Sequence, residues 1–278
     1  MGFSTSSKML KYINQIIKGN CVEVIKNFDD NCIDLTLTSP PYDNLRVYNG
    51  YIFPFEDIVR QLFRITKDGG VVVWVVNDAT IDGSETGTSF KQALYFMEQG
   101  FKLHDTMIFQ KTNPIPQVYR KRYNGIFEYM FVFVKGKKPN THNPIMVDCL
   151  HAGLELNGTT YKNYSKGNQK REKLANPVKD KKIKGNIWEY VVGKKMEDQE
   201  AKGHPAPFPC QLAIDHILSW TNENDLVLDP MNGSGTTTRS AYLTNRNYIG
   251  IDISKEYCEI AERRIENLKI QPTFNFSY

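Results

Sequence analysis

The chain has 278 residues and a net charge of +4, and 40% of its residues are hydrophobic. This excludes a disordered chain and allows two units, or one large domain with an insertion, at roughly 150 residues per domain. The five cysteines form no C-x-x-C pair, which excludes a disulfide framework, disfavours a cysteine zinc site and fits a reducing cytosol. No apolar stretch reaches the roughly 18 residues of a membrane span, so we expect a cytoplasmic protein without a membrane partner.

The first 135 residues alternate between predicted strands and one predicted helix. An apolar run stops at Pro40 and Pro41, because two prolines can continue neither a central strand nor a helix. Lys67–Gly70 is predicted to end the helix. A later β-branched run is typical of a strand covered on both faces. The predicted strands are 32–38, 71–76, 106–110 and 128–135, and the predicted helix is 55–65.

The α/β pattern resumes near the end of the chain. The predicted elements there are helix 211–220, strand 225–229, a helix from about 236, strand 248–252 and helix 256–268. Such alternation predicts a doubly wound α/β sheet.

Positive charge is concentrated between these two parts. From Lys135 to Lys195, 14 Lys and Arg stand against 5 Asp and Glu, a balance of +9, whereas the rest of the chain has 21 against 26. A solvated basic loop is one interpretation. The other interpretation is a surface that binds phosphates, since neutralising a polyanion releases counterions. We therefore divide the chain into residues 1–135, a basic insert at 136–200, and residues 201–278.

The turn after predicted strand 225–229 has the pattern of an adenosine-containing cofactor site. Gly233 and Gly235 let the backbone approach a ligand, and Asp252, at the end of the next strand, can accept hydrogen bonds from ribose hydroxyls. Thr238 replaces the third glycine of the dinucleotide fingerprint, and a tight turn in an unrelated α/β protein is the alternative. Asp229, just before the turn, repels a diphosphate but suits a cation, which favours S-adenosylmethionine.

Several motifs resemble one family in both composition and order. Residues 38–42 read TSPPY, and residues 229–237 read DPMNGSGTT. This order resembles the amino-group DNA methyltransferases of the β arrangement, with the catalytic motif first, a target-recognition region second and the cofactor motif last. The resemblance covers residues 18–268, and the further stretches that agree are KTNPIP (111–116), EYMFVFVK (128–135), HPAPFP (204–209) and IGID (249–252).

The resemblance implies a Rossmann-like, circularly permuted α/β methyltransferase sheet with an inserted target-recognition region. It also implies methyl transfer from S-adenosyl-L-methionine to an exocyclic amine of a base flipped out of double-stranded DNA. Ser39 Oγ and the Pro40 carbonyl would accept the amine hydrogens, Pro41 would shape the loop, and Tyr42 would stack on the base. The implied cofactor residues are Asn20, His204, Asp229, Pro230, Gly233, Ser234, Gly235, Thr236 and Asp252.

The first residue of the catalytic motif bears on which base is methylated. Ser39, where other members have Asp or Asn, resembles the cytosine-N4 branch, and adenine-N6 is the alternative. A DNA-binding protein that has lost turnover is a hypothesis from another class. The resemblance also suggests a bacterial or archaeal restriction–modification system, a cognate endonuclease without stable contact, and a monomer or homodimer. Basic candidates for DNA contact are Lys111, Arg120, Lys121, Arg122, Lys170 and Arg171.

Four local features depart from the family pattern or suggest a different chemistry. Pro209–Cys210 matches the nucleophile pair of cytosine-C5 methyltransferases, but that family places its cofactor glycines near the amino terminus, so Cys210 is interpreted as a small residue at a helix start. Asn20 stands where the family usually has an acid, and Met231–Asn232 replaces a pair that usually contains an aromatic residue. The five histidines are not at metal-ligand spacing, so no metal is expected.

Overall fold

The computed structural model describes residues 7–41, 53–114, 121–155, 159–163, 169–173, 177–193 and 209–270. The chain divides into two compact units: unit 1 is Met1–Asn143 with Asn186–Tyr278, and unit 2 is Pro144–Gly185. Within the described ranges, no helix is long and apolar enough to cross a membrane.

The described residues form seven helices and fourteen strands. The helices are α1 (Ser7–Leu10), α2 (Cys21–Ile25), α3 (Phe55–Ile65), α4 (Thr88–Glu98), α5 (Cys210–Trp220), α6 (Thr236–Leu243) and α7 (Lys255–Ile270). The strands are β1 (Gln15–Lys18), β2 (Ile33–Thr38), β3 (Thr66–Val76), β4 (Thr80–Ile81), β5 (Ser84–Glu85), β6 (Phe101–Lys111), β7 (Phe127–Lys135), β8 (Met146–Asp148), β9 (Thr159–Asn163), β10 (Gln169–Lys173), β11 (Lys181–Ile183), β12 (Ile187–Tyr190), β13 (Leu226–Asp229) and β14 (Asn247–Asp252).

Unit 1 is built on an eight-stranded sheet in the order β1-β14-β13-β2-β3-β7-β6-β12. β7 is antiparallel to both of its neighbours, and all other adjacent pairs are parallel. The chain runs from β13 to β14 in one direction along the sheet and from β2 to β3 in the other. The carboxyl ends of β13 and β2 therefore form a topological switch point, the place where open α/β sheets bind ligands.

The centre of this sheet is covered on both faces, as predicted. Every residue from Val71 to Val76 is at most 1% exposed. Val72 and Trp74 share a core cluster with Ile58 of α3 and Phe96 of α4. Val71, Val73 and Val75 alternate with these residues and point to the opposite face of the sheet, where they are also buried. The prediction of a doubly wound α/β sheet is confirmed.

The predicted start of one strand is wrong. The predicted helix 55–65 agrees with α3, but β3 begins at Thr66 and so includes Lys67–Gly70 ahead of the predicted strand 71–76. The β2–β3 register shifts between Ile33 and Leu35, so the residues with helix-stop chemistry form an irregular start to a strand. Gly69 has φ +74°, and a Cβ there would lie 2.2 Å from the Asn140 side chain.

The basic region contains more regular structure than its weak apolar periodicity predicts. In unit 2, β8 pairs with β11 and β9 pairs with β10, both antiparallel. β12, inside the predicted insert of 136–200, instead pairs with β6 in the main sheet. Unit 2, Pro144–Gly185, lies inside the predicted insert of 136–200.

Candidate active site

Two predicted motifs that are far apart in sequence meet at the switch point. The Thr38 hydroxyl, at the end of β2, donates a 2.7 Å hydrogen bond to Asp229 Oδ1, at the end of β13. Ser39 and Pro41 follow at this edge and are partly exposed, whereas Pro40 is buried. The strand pairing thus places Ser39, Pro40 and Pro41 directly after a residue that is hydrogen-bonded to the predicted cofactor carboxylate.

Asp229 is a buried acid in an unusual electrostatic state. Burial raises its pKa from the ordinary 3.8 to about 6, against the lowering effect of hydrogen bonds from the Thr38 and Thr237 hydroxyls and from the Met231 N–H. Within the described part of the chain, it has no Lys or Arg ion-pair partner. A buried carboxylate without a cation is costly, so this position favours a cationic ligand.

The glycine turn joins Asp229 to the second predicted carboxylate. The Gly233 N–H donates to Asp252 Oδ2 (2.8 Å), and the Ser254 N–H donates to Asp252 Oδ1 (2.8 Å). Burial raises the pKa of Asp252 as well. Pro230 and Ser234 are buried, and Thr236 is the first residue of α6. The turn and Asp252 therefore form one hydrogen-bonded unit at the ends of β13 and β14.

Asn20 lies at the same edge, after β1. The Gly19 N–H donates to the Asp252 carbonyl (2.8 Å), which joins the two strand ends. The Asn20 side chain accepts from the Val22 N–H (2.9 Å) and caps α2. Its position fits the predicted cofactor role, and its oxygen also has a structural partner.

Three residues to which the sequence analysis gave no role in the site support it. Thr38 binds Asp229, as described above. Arg264 of α7, 1% exposed, donates to the Ser234 carbonyl beneath the glycine turn. The Asn232 side chain accepts from the Thr238 hydroxyl (3.0 Å) and packs so closely on Gly250 that a Cβ there would lie 2.6 Å away. Thr38 belongs to the TSPPY motif and could have been found there, whereas Arg264 lies in α7 and in none of the motifs quoted above.

The predicted DNA-contact residues lie in several places. Lys111 forms a 2.7 Å ion pair with Glu128, and Arg122 donates to the Gly83 carbonyl and lies 3.7 Å from Glu85. Lys121 is exposed. Lys170 and Arg171 belong to β10 of unit 2. Tyr42, His204 and Arg120 lie outside the described residues.

Cys210 is the first residue of α5, as predicted. Its Sγ lies 3.8 Å from both Arg239 Nη1 and Arg264 Nη2. Across the described ranges, no group of three or more His, Cys, Asp or Glu side chains could hold a metal ion.

Replacing Gly235 by Ala should destabilise the protein and weaken cofactor binding. Gly235 has φ +84°, and its Cβ would lie 2.6 Å from the Ala261 Cβ. The left-handed backbone and the clash together predict a loss of about 2 kcal/mol or more in the free energy of unfolding, measured by urea denaturation. Gly87→Ala is the matched control, since Gly87 has φ +65° and nothing within 4 Å of a Cβ. Equal losses in the two variants would show that packing against α7 does not matter.

Comparison with known proteins identifies the family. A model of the N6_N4_Mtase family, described as DNA methylase, matches residues 33–263. The chain belongs to this DNA methylase family. It is 52% identical over 246 residues to the orphan methyltransferase M.BamHII of Bacillus amyloliquefaciens, covering 87% of this chain and 92% of that protein.

Solved structures share the fold of this methylase. The PvuII DNA methyltransferase (cytosine-N4-specific) matches with a TM-score of 0.68 and 20% identity, over 90% of this chain and 85% of that chain. The M1.HpyAVI–SAM complex matches with a TM-score of 0.60 and 24% identity, over 90% of this chain and 98% of that chain. The predicted Rossmann-like methyltransferase fold is thereby confirmed.

Proposed function

We propose that the protein transfers a methyl group from S-adenosyl-L-methionine to the exocyclic N4 amine of a cytosine flipped out of duplex DNA. The observation that carries this proposal is the junction of β2 and β13. The Thr38–Asp229 hydrogen bond brings the Ser39–Pro40 segment next to a carboxylate that favours a cation. A methyl acceptor and a cationic methyl donor need this proximity.

The residues at this edge fit S-adenosylmethionine, which supplies an electrophilic methyl group when bound. Asp229 would hold the positively charged methionine end, and Asp252 would accept hydrogen bonds from the ribose. The Gly233 and Ser254 N–H groups donate to different oxygens of Asp252, which orients the carboxylate toward the ligand side of the turn. M1.HpyAVI, whose fold matches this chain, is described as a complex with SAM.

The proposed chemistry is positioning followed by direct displacement. An exocyclic amine is a poor nucleophile because its lone pair is delocalised into the ring. The Ser39 hydroxyl and the Pro40 carbonyl would accept its two hydrogens and draw the nitrogen toward tetrahedral geometry. The freed lone pair would then attack the methyl carbon in line, so that the N–C bond would form as the S–C bond breaks. S-adenosylhomocysteine would leave as the neutral thioether, and the proton released by the amine would pass to solvent. Tyr42 would stack on the flipped base and offset its lost stacking.

The choice of base rests on Ser39. A serine in this position favours cytosine-N4, and adenine-N6 methylation on the same scaffold is the alternative, since the same amine geometry serves both bases. The likeness to the PvuII enzyme concerns the fold alone at 20% identity.

The expected partner is double-stranded DNA in the cytoplasm of a bacterial or archaeal cell. Lys121 and Arg122 in unit 1 and Lys170 and Arg171 in unit 2 would contact it, mainly at phosphates. M.BamHII is described as an orphan methyltransferase, and a cognate endonuclease for the present protein stays a prediction, as does its state as monomer or homodimer.

Analysis of the labelled nucleoside tests the proposal. The protein is incubated with methyl-labelled S-adenosylmethionine and mixed-sequence duplex DNA, and the DNA is digested to nucleosides for mass identification. We expect N4-methylcytosine. N6-methyladenine would keep the mechanism but overturn the role of Ser39 in choosing the base. No methylated nucleoside, with cofactor binding intact, would overturn the proposal in favour of a DNA-binding protein without turnover.

Replacing Asp252 by Ala should weaken cofactor affinity by about tenfold or more, the loss of a charge-assisted hydrogen bond. The Gly233 and Ser254 N–H groups also lose their acceptor, so thermal unfolding is measured in the same samples. Asp252→Asn retains an acceptor oxygen and should lose less. Calorimetric titration with S-adenosylmethionine measures both affinities, and an unchanged affinity in the Ala variant would remove Asp252 from the site.

A further inference from the structure

One aromatic side chain near the candidate active site has no structural role of its own. Tyr123 is fully exposed. Within the described part of the chain it makes no hydrogen bond or ring contact. Burying an aromatic ring is strongly favourable, so a ring held entirely in water is available for a stacking partner.

The segment that carries Tyr123 lies at the catalytic edge of the sheet. It connects β6 to β7, and the antiparallel β7 begins where its neighbour β3 ends, with Tyr129 paired to Val76. β2 and β7 flank β3, so the two strands lie roughly 10 Å apart across the sheet. The registers place Thr38 level with Phe131, so β7 begins four residues beyond the end of β2 at this edge. Ser39 follows β2 and Tyr123 precedes β7 by four residues. The aromatic ring is therefore presented on the side of the sheet where the target base would be held.

Anchors on both sides fix this segment. Arg122 binds the β4–β5 hairpin through the Gly83 carbonyl and Glu85. The Ile126 carbonyl accepts from the Lys111 N–H (2.7 Å), and the Asn77 side chain donates to the Phe127 carbonyl (3.3 Å). The backbone on both sides of Tyr123 is therefore held by hydrogen bonds. Less conformational entropy is lost when the ring binds a partner than would be lost from an unanchored loop.

The neighbours of Tyr123 indicate the chemistry of that partner. Lys121 and Arg122 precede it, and all residues from 121 to 127 are exposed. Basic side chains interleaved with an exposed aromatic ring are typical of nucleic-acid surfaces, where cations meet phosphates and the ring stacks on a base. Flipping a base out of a duplex also leaves a gap, which an inserted side chain can fill.

We propose that Tyr123 inserts into the DNA duplex at the position vacated by the flipped target base and stacks on the neighbouring bases. This inference rests on the proposed function, since it requires a flipped base. It makes Tyr123 a positioning residue: the ring stabilises the extruded state of the DNA and does not contact the reacting atoms.

The test first determines the methylated sequence from the genome of an expression host without methylation of its own. Single-turnover methylation is then measured on two oligonucleotide duplexes with that sequence, one fully paired and one with the target base mispaired. We expect Tyr123→Ala to lose about tenfold or more of the rate on the paired duplex, the effect of one lost stacking contact. On the mispaired duplex the loss should shrink to about threefold or less, because a mispaired base costs less to extrude.

Two further variants complete the test. Tyr123→Phe keeps the ring and should recover most of the rate on the paired duplex. Ile270→Ala removes a 76% exposed apolar side chain at the far end of α7 and is the control for a surface truncation. Equal rates for Tyr123→Ala and wild type, or equal losses on both duplexes, would overturn the insertion. If the wild-type protein methylates no DNA, the proposed function itself fails.

Discussion

Replacing Ser39 by Ala should reduce the rate of methyl transfer by about 100-fold or more and leave cofactor affinity near that of the wild type. The reduction is that expected from removing one preorganised hydrogen-bonding group aimed at the reacting atom. Cofactor affinity should persist because the cationic end of the ligand is assigned to Asp229, whose carboxylate is bound by Thr38 rather than Ser39. Single-turnover methylation and calorimetric titration measure the two effects separately.

The chain offers a matched control for this substitution. Ser240 is fully buried in α6, and its hydroxyl has no hydrogen-bond partner in the described part of the protein. Ser240→Ala should leave the rate unchanged and the stability equal or slightly higher, because a buried unpaired hydroxyl is removed. An unchanged rate in Ser39→Ala would disprove the catalytic role assigned to Ser39.

Replacing Asp229 by Asn should weaken S-adenosylmethionine binding by about tenfold or more at pH 7.5 and also make the ligand-free protein more stable. The affinity falls because a buried carboxylate that favours a cation is neutralised. The stability rises because the wild-type acid is ionised at pH 7.5 although burial has raised its pKa to about 6. At about 1.36 kcal/mol per pKa unit, the shift from 3.8 corresponds to at most about 3 kcal/mol.

Folding stability and cofactor affinity should depend on pH with opposite signs. For folding, the raised pKa means that the contribution of Asp229 is greatest below pH 3.8 and is lost as the pH rises through about 6. For binding, the cation needs the ionised form, so wild-type affinity should fall up to tenfold per pH unit below about 6. The affinity of Asp229→Asn should be nearly flat over the same range, measured by titration between pH 5 and 7.5.

Three companion measurements sharpen this prediction. Asp225→Asn makes the same substitution just before the amino end of β13, away from the site, and should not change affinity. Thr38→Val removes a hydrogen bond that lowers the Asp229 pKa and should move the midpoint of the pH profile upward. S-adenosylhomocysteine keeps the ammonium but lacks the sulfonium, so an equal loss with both ligands would assign the contact to the ammonium. A pH-independent wild-type affinity would contradict the role of Asp229.

Much of the main sheet could be predicted because its strands are marked by short apolar runs in the sequence. The apolar run ending at Pro40 and the β-branched run from Val71 to Val76 both correspond to strands of the main sheet. The predicted start of strand 71–76 was wrong because residues that usually follow the end of a helix also start an irregular strand when a neighbouring strand is available for pairing. Local pattern cannot distinguish these two outcomes.

The sequence by itself determined the family and the order of its motifs, and it predicted the residues proposed to act at the two ends of methyl transfer. Only the tertiary structure decided that Thr38 and Asp229, 191 residues apart, form one hydrogen bond, and that Arg264 is buried beneath the glycine turn. It also decided the raised pKa of Asp229 and the exposure of Tyr123. The physical reason is that motifs and periodicity depend on the local conformation of each segment. Desolvation and strand order arise only when segments distant in sequence pack together.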